Sequence, residues 1–179
     1  MKFQKYTRRS KDRPDDACHT NKKARKSWQE DADKDFRCCQ CRQMIYSTPV
    51  MGTRHRNHCP YCLWSKHVDT KPGNRQSDCH GRMEPIALTL KYNGYDKYGK
   101  TRLGDVMTVH MCRTCGQINI NRIASDDCVV QLGHLFRNAM CLDATMRQRL
   151  SAENIMLIEA ADEEVLRTAL FGKDTKTAI

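Results

Sequence analysis

Hydrophobic positions are spread unevenly along the 179 residues of this chain, and the unevenness divides it in three. Residues 1–35 are nearly empty of aliphatic side chains, so a disordered tail is expected: burial there cannot offset the entropy of ordering. Residues 36–127 carry short strand-like runs separated by turn formers such as Thr48-Pro49, Met51-Gly52, Lys71-Pro72-Gly73-Asn74 and Asn93-Gly94. The runs 86–90 and 105–112 are expected to pair as a hairpin across a long loop over 92–99. In the second run Val106, Thr108, His110 and Cys112 fall on one face, since strand side chains alternate. Residues 128–179 change to a helical period. Val129, Leu132, Leu135 and Phe136 recur at three- and four-residue intervals behind a cap at Asp126 or Asp127. A second helical segment is read from a cap at Ser151 through Ile155, Ile158, Val165 and Ala169 to a stop at Gly172. The pattern is that of a small α+β protein: basic tail (1–35), β-rich cysteine domain (36–127) and helical segment (128–179).

Composition explains how so polar a middle can fold. Hydrophobic residues make up 39% of the chain and mean hydropathy is −0.75, which leaves a modest core. Eleven cysteines supply another device. The opening residues 1–9 hold no apolar stretch, and Asp12, Asp15 and Asp16 interrupt the basic run that an organelle transit peptide would need. No segment approaches the roughly 18 consecutive apolar residues of a membrane span. The expected compartment is the cytoplasm, where thiols stay reduced and paired cysteines read as zinc ligands rather than disulfides.

The first ligand set is Cys38-x2-Cys41, then 17 residues, then Cys59-x2-Cys62. Two residues between cysteines let both sulfurs face one cation at about 2.3 Å, and two such knuckles complete a tetrahedron. Cys39 would give the poorer C-x-C spacing and is read as a bystander. A second set combines Cys112-x2-Cys115-Gly116 with Cys79. Its fourth ligand is left among His67, His110, His80 and His58, with His67 preferred to His110. A three-ligand version holding water would instead mean hydrolytic chemistry. Cys18-His19 lacks a partner at ligand spacing, and Cys128 and Cys141 read as small buried hydrophobes.

Charge adds a partner class. Of the formal +10, residues 1–35 carry 11 Lys and Arg against 7 Asp and Glu, residues 36–127 carry 14 against 7, and residues 128–179 carry 6 against 7. A basic excess over the tail and middle favours a polyanion, because Lys and Arg release counterions on meeting phosphates. Arg54, Arg56, Arg75, Lys97, Arg102 and Arg122 are the expected contacts around the knuckles, with Asn119 and Asn121 as amide donors and the tyrosines of 91–100 for stacking. The leading expectation is a non-enzymatic nucleic-acid-binding module for RNA or a ribonucleoprotein. A metal-dependent hydrolase or nuclease using His55, His58, His67, Asp69 and Asp126-Asp127 is the alternative. The simpler account keeps His58 as an outer group beside Cys59. A third class is an assembly factor docking partners through 128–179.

The string Arg56-Asn57-His58-Cys59-Pro60-Tyr61-Cys62-Leu63-Trp64-Ser65-Lys66-His67-Val68-Asp69 resembles the motif that names the RNHCP domain family. The likeness runs on through Pro72-Gly73-Asn74-Arg75, Cys79-x-Gly81-x-Met83-x-Pro85 and His110-x-Cys112-x2-Cys115-Gly116, and closes at Asn121-Arg122-Ile123-Ala124-Ser125-Asp126-Asp127. It implies a compact zinc-ribbon-like domain with both cysteine sets, and carries no defined activity. Arg42 departs from the glycine that such knuckles commonly place after the second cysteine.

Overall fold

The computed structural model describes residues 35–46, 56–71, 76–99 and 101–172, with the backbone alone at 92–93 and 101–103. Of the expected tail (1–35), residues 1–34 lie outside the described residues, as do Arg54, His55 and Arg75. What is described is a small α+β fold. A two-stranded sheet pairs β1 (Phe36–Arg37) with β2 (Met44–Ile45), both antiparallel. A four-stranded antiparallel sheet runs in the order β3 (Ser65–Lys66), β4 (Arg82–Tyr95), β5 (Thr101–Cys112), β6 (Ile118–Arg122). Three α-helices follow: α1 (Val129–Ala139), α2 (Ala144–Ala152) and α3 (Glu163–Phe171).

The expected hairpin forms, but its arms are far longer than the apolar runs that announced it. Register continues through Leu90–Val106, Tyr92–Leu103 and Tyr95–Thr101, well into the expected loop. Backbone pairing carries the arms past the apolar runs, with irregularities near Tyr92 that absorb the extra residues. β6 was not expected; Ile118 and Ile120 alternate over too short a stretch to signal a strand, and pairing with Met107–Met111 creates it.

Both faces of the sheet are covered. Leu88 and Val106 join Leu63, Leu132, Leu135, Phe136, Ile158 and Leu166 in one cluster. Ala87, Val109 and Ile118 join Ala139 and Leu150 in another. Neighbouring residues Ala87 and Leu88 belong to different clusters because successive side chains leave a strand on opposite sides. α1 packs across β4, and each fully buried Leu or Phe there contributes about 1.5–3 kcal/mol relative to exposure. Residues 128–172 therefore complete the core of the sheet.

The helix starts differ from expectation. Cys128 occupies the cap position of α1 without a side-chain bond, and its backbone N–H donates to the Pro60 carbonyl at 2.8 Å. Asp126 and Asp127 are used elsewhere, as described below. Ser151 lies inside α2, whose cap is Asp143, accepting from the Met146 N–H. Asp143 sits about two turns earlier and takes the capping role, and residues 155–158 lie outside the helix, Ile158 N–H bonding to the Leu88 carbonyl instead. Gly172 ends α3 as expected. Cys141 is exposed and Cys128 half-buried, so neither is a fully buried hydrophobe.

Candidate metal centre

One backbone device recurs at three cysteine pairs. The N–H of the first cysteine donates to the carbonyl five residues on: Cys38 to Gln43 at 2.8 Å, Cys59 to Trp64 at 2.9 Å and Cys112 to Gln117 at 2.8 Å. To close that loop, the residue after the second cysteine turns left-handed, with φ of 66° at Arg42, 61° at Leu63 and 75° at Gly116. Glycine adopts this conformation freely, whereas a residue with Cβ is strained by about 1–2 kcal/mol. Leu63 tolerates it because its side chain lies in the main core. Arg42 has no such burial.

These turns aim sulfurs at common points. Cys38, Cys41, Cys59 and Cys62 form one cluster and His67, Cys79, Cys112 and Cys115 a second, the ligand atoms of each lying within 4.8 Å of one another. In the first, Cys38 Sγ is 3.5 Å from Cys62 Sγ, and Cys41 Sγ 3.5 Å from Cys59 Sγ. In the second, Cys79 and Cys112 sulfurs are 3.7 Å apart and Cys115 Sγ is 3.4 Å from His67 Nδ1. A tetrahedron with bonds of about 2.3 Å has edges near 3.8 Å, whereas a disulfide needs about 2.05 Å. Both donor sets fit a metal ion of zinc's size and softness. Gly81 supplies a further sign: a Cβ there would lie 2.7 Å from Cys112 Sγ and 2.6 Å from Thr114 Oγ1. The chain is bare at that position so that it can pass the second cluster.

His67 is held for ligation through Nδ1. Its Nε2–H donates to the Asp69 carbonyl at 2.9 Å, which fixes the tautomer and leaves the Nδ1 lone pair facing Cys115. The same carbonyl accepts from Asn119 Nδ2 at 3.2 Å. Asn119 is buried, so the expected amide contact to a nucleic acid is not available from it.

The other candidate histidines are engaged elsewhere. His110 Nε2–H donates to the Leu63 carbonyl at 2.7 Å, and Nδ1 accepts from Asn121. Burial pushes its pKa down to about 4, with the nearby His58 acting in the same direction. His58 Nε2–H donates to both Asp127 oxygens at 3.0 Å, and Asp127 also accepts from the Ala124 N–H. His80 is in neither cluster. Cys39 likewise stands apart, its thiol facing the Ser65 carbonyl.

The cluster thiols are shifted in both directions. The Cys62 side chain and burial push the Cys59 thiol well up, and burial raises Cys38. Cys112 moves the other way, to about 6: burial opposes ionisation there, but the N–H groups of Cys115 and Thr114 and the His67 side chain outweigh it.

The expected nucleic-acid contacts scatter. Arg56 is a correction: it is 6% exposed and makes a bidentate pair with Asp126, one arm at 2.7 Å. That bond holds the Asp126 carboxyl below its usual range. Arg122 is exposed but pairs with Asp105 at 3.2 Å. Lys97 is exposed at the hairpin tip, 4.9 Å from the Tyr98 ring centre. The Arg102 side chain lies outside the described residues.

Residues 33–132, more than half of the chain, match the model of the RNHCP domain. The chain belongs to the RNHCP domain family. No match was found among curated proteins or among solved structures. The RNHCP segment takes in both clusters and stops at Leu132, in the first turns of α1. Its signature residues have separate tasks here. Arg56 and His58 grip the loop before α1, Cys59 and Cys62 turn a knuckle, and Pro60 accepts the first bond of the helix. Sequence spacing could not disclose the Arg56–Asp126 and His58–Asp127 bonds, which span about 70 residues. No helix among the described residues is long and apolar enough to cross a membrane.

Proposed function

We propose that this protein is a zinc-stabilised, non-catalytic nucleic-acid-binding module, acting on RNA or within a ribonucleoprotein in the cytoplasm. One observation carries the reading. The segment bearing both cysteine clusters holds 14 Lys and Arg against 7 Asp and Glu, while the helical segment beside it holds 6 against 7. Positive charge thus coincides with backbone that metal ligation would make rigid, and cations on rigid loops lose little entropy on meeting phosphate.

Four protein donors at each cluster leave no coordination position for a reacting water, which assigns both ions a structural role. When bound, each ion contributes folding free energy to loops with few apolar residues of their own. The hydrolase alternative gains nothing from His58 and Asp127, since each is buried and consumed by the other. The docking alternative loses the buried stripe of α1, which is spent on the sheet.

The test pairs metal analysis of the native protein with binding to mixed-sequence RNA across a salt series. Two zinc ions per chain are expected, with affinity falling steeply as salt rises. Absence of salt-sensitive binding at low ionic strength would remove the reading.

A further inference from the structure

The described arginines differ in how they are paired. Arg113, Arg122, Arg147, Arg149 and Arg167 each hold a carboxylate, and Arg56 is neutralised inside the protein by Asp126. Around the first cluster the pattern reverses. The stretches 35–46 and 56–66 contain one carboxylate, Asp35. Among the described residues, no salt bridge reaches Arg37, Arg42, Lys66 or Arg82. Five surface arginines elsewhere are matched with acid; these four cations are left with charge to spare.

The same module exposes aromatic surface. Tyr46 is 67% and Tyr61 60% exposed, on the two chains that turn around the first cluster. Trp64 directly precedes β3, and Lys66 pairs across the ladder with Arg82. The Arg82 guanidinium sits 6.0 Å over the Trp64 ring and also donates to Gln40 Oε1 at 3.2 Å. Gln40 belongs to the first knuckle, next to Cys41 and Arg42. Hence Arg42, Trp64, Lys66 and Arg82 form one connected surface. Its guanidinium is held by stacking and a neutral amide rather than by a counter-charge.

Unpaired cations beside exposed rings match one kind of polyanion. A duplex offers phosphates but hides its base faces in the stack; a single strand offers both. We propose that the surface of the first metal module binds single-stranded nucleic acid. Tyr61, Tyr46 and the Arg82–Trp64 stack receive bases, and Arg42 and Lys66 meet phosphates. This rests on the nucleic-acid reading above and adds where the polymer lies and in which form. RNA and DNA single strands share that chemistry, and the assay separates them.

The test uses the full chain loaded with both metal ions and a short labelled mixed-sequence RNA. That RNA is presented free and annealed to its complement, and compared with the single-stranded DNA of the same sequence. Fluorescence anisotropy gives affinity across a salt series. Tyr61→Ala is expected to weaken single-strand binding about tenfold, with the loss persisting at high salt because stacking is not screened. Arg42→Glu with Lys66→Glu is expected to weaken it at least as much and to flatten the salt slope by about 0.7 per phosphate contact removed. Arg167→Glu, the same charge change on α3, should leave affinity near wild type. Each variant is checked for two metal ions and an unchanged melting point, so that unfolding is not mistaken for lost contact.

Tighter binding of either single strand than of the duplex supports the proposal, and the RNA-to-DNA ratio names the polymer. Equal binding of duplex and single strand overturns it, as does wild-type affinity in the first-module variants. In those cases nucleic-acid binding itself still stands. If the wild-type chain binds no nucleic acid, the broader reading falls instead.

Discussion

The two clusters solve the same coordination problem in opposite surroundings. The first has four thiols, a two-stranded sheet of two residues per strand, and a small apolar cluster of Cys38, Ile45 and Cys59 flanked by Phe36 and Cys62. Its ligands are most of its core. The second has three thiols and an imidazole set beside the ends of β3, β4 and β5, within a web of bonds that joins His67, Asp69, Asn119, Gln117 and Gly116 to the sheet and to Arg149 of α2. There the metal would join a structure that already has a core. The difference teaches that equal ligand counts need not mean equal structural dependence. A ligand set can replace a core or decorate one.

Complete metal removal gives the largest expected break of that comparison. Structural zinc contributes on the order of 10 kcal/mol per site at neutral pH. Stripping both ions with a strong chelator should abolish amide protection first and most fully in residues 35–46 and 56–62. Residues 82–112 should retain slow exchange under the same conditions, read by hydrogen exchange. Equal loss in both regions would erase the distinction.

Next comes Gly81→Ala. A methyl group 2.7 Å from Cys112 Sγ must displace the second ligand set, because real Cβ atoms do not approach so closely. Metal analysis should fall from two ions toward one, with the first module's exchange unchanged.

Asp126→Asn probes the clamp between the first module and the loop before α1. The expected destabilisation at neutral pH is about 1–3 kcal/mol, since it strips a partner from the nearly buried Arg56. The bond to Arg56 depresses the Asp126 pKa. Its stabilisation is therefore present above the ordinary carboxylate range and disappears as pH falls through the lowered value. Chemical denaturation of wild type and variant should converge in that acid window.

Arg42→Gly carries the smallest expected change and the opposite sign. Relief of the left-handed strain at φ 66° should stabilise the first knuckle by about 0.5–1 kcal/mol. Thermal melting and zinc competition would record it, while the lost cation should weaken binding of single strands.

Much of this was legible before any coordinates. The C-x2-C spacings announce their own geometry, since two intervening residues leave a knuckle few ways to turn, and all eight expected ligands come together in two groups. The hairpin strands were legible in their buried segments, where Leu88, Leu90 and Val106 alternate with their neighbours. Their outer segments were not, because backbone pairing extends a strand without asking for apolar residues. Arg56 looked like a surface cation for the same reason that Asp126 looked like a helix cap. Each has an ordinary local role, and only the fold shows that they belong to one another. Any serine before a helical period resembles a cap, as Ser151 does, whereas the cap in use, Asp143, stands about two turns upstream.

Leu63 has a consequence beyond its strain. Its N–H closes the knuckle of Cys59, its side chain lies among Leu132, Phe136 and Leu166, and its carbonyl receives His110. One residue therefore belongs to the first metal cluster and to the helical core at once. Linkage makes such an arrangement reciprocal: whatever free energy ligation lends to helix docking, docking must return to ligation. Loosening α1 would raise the dissociation constant of an ion that none of its residues approaches.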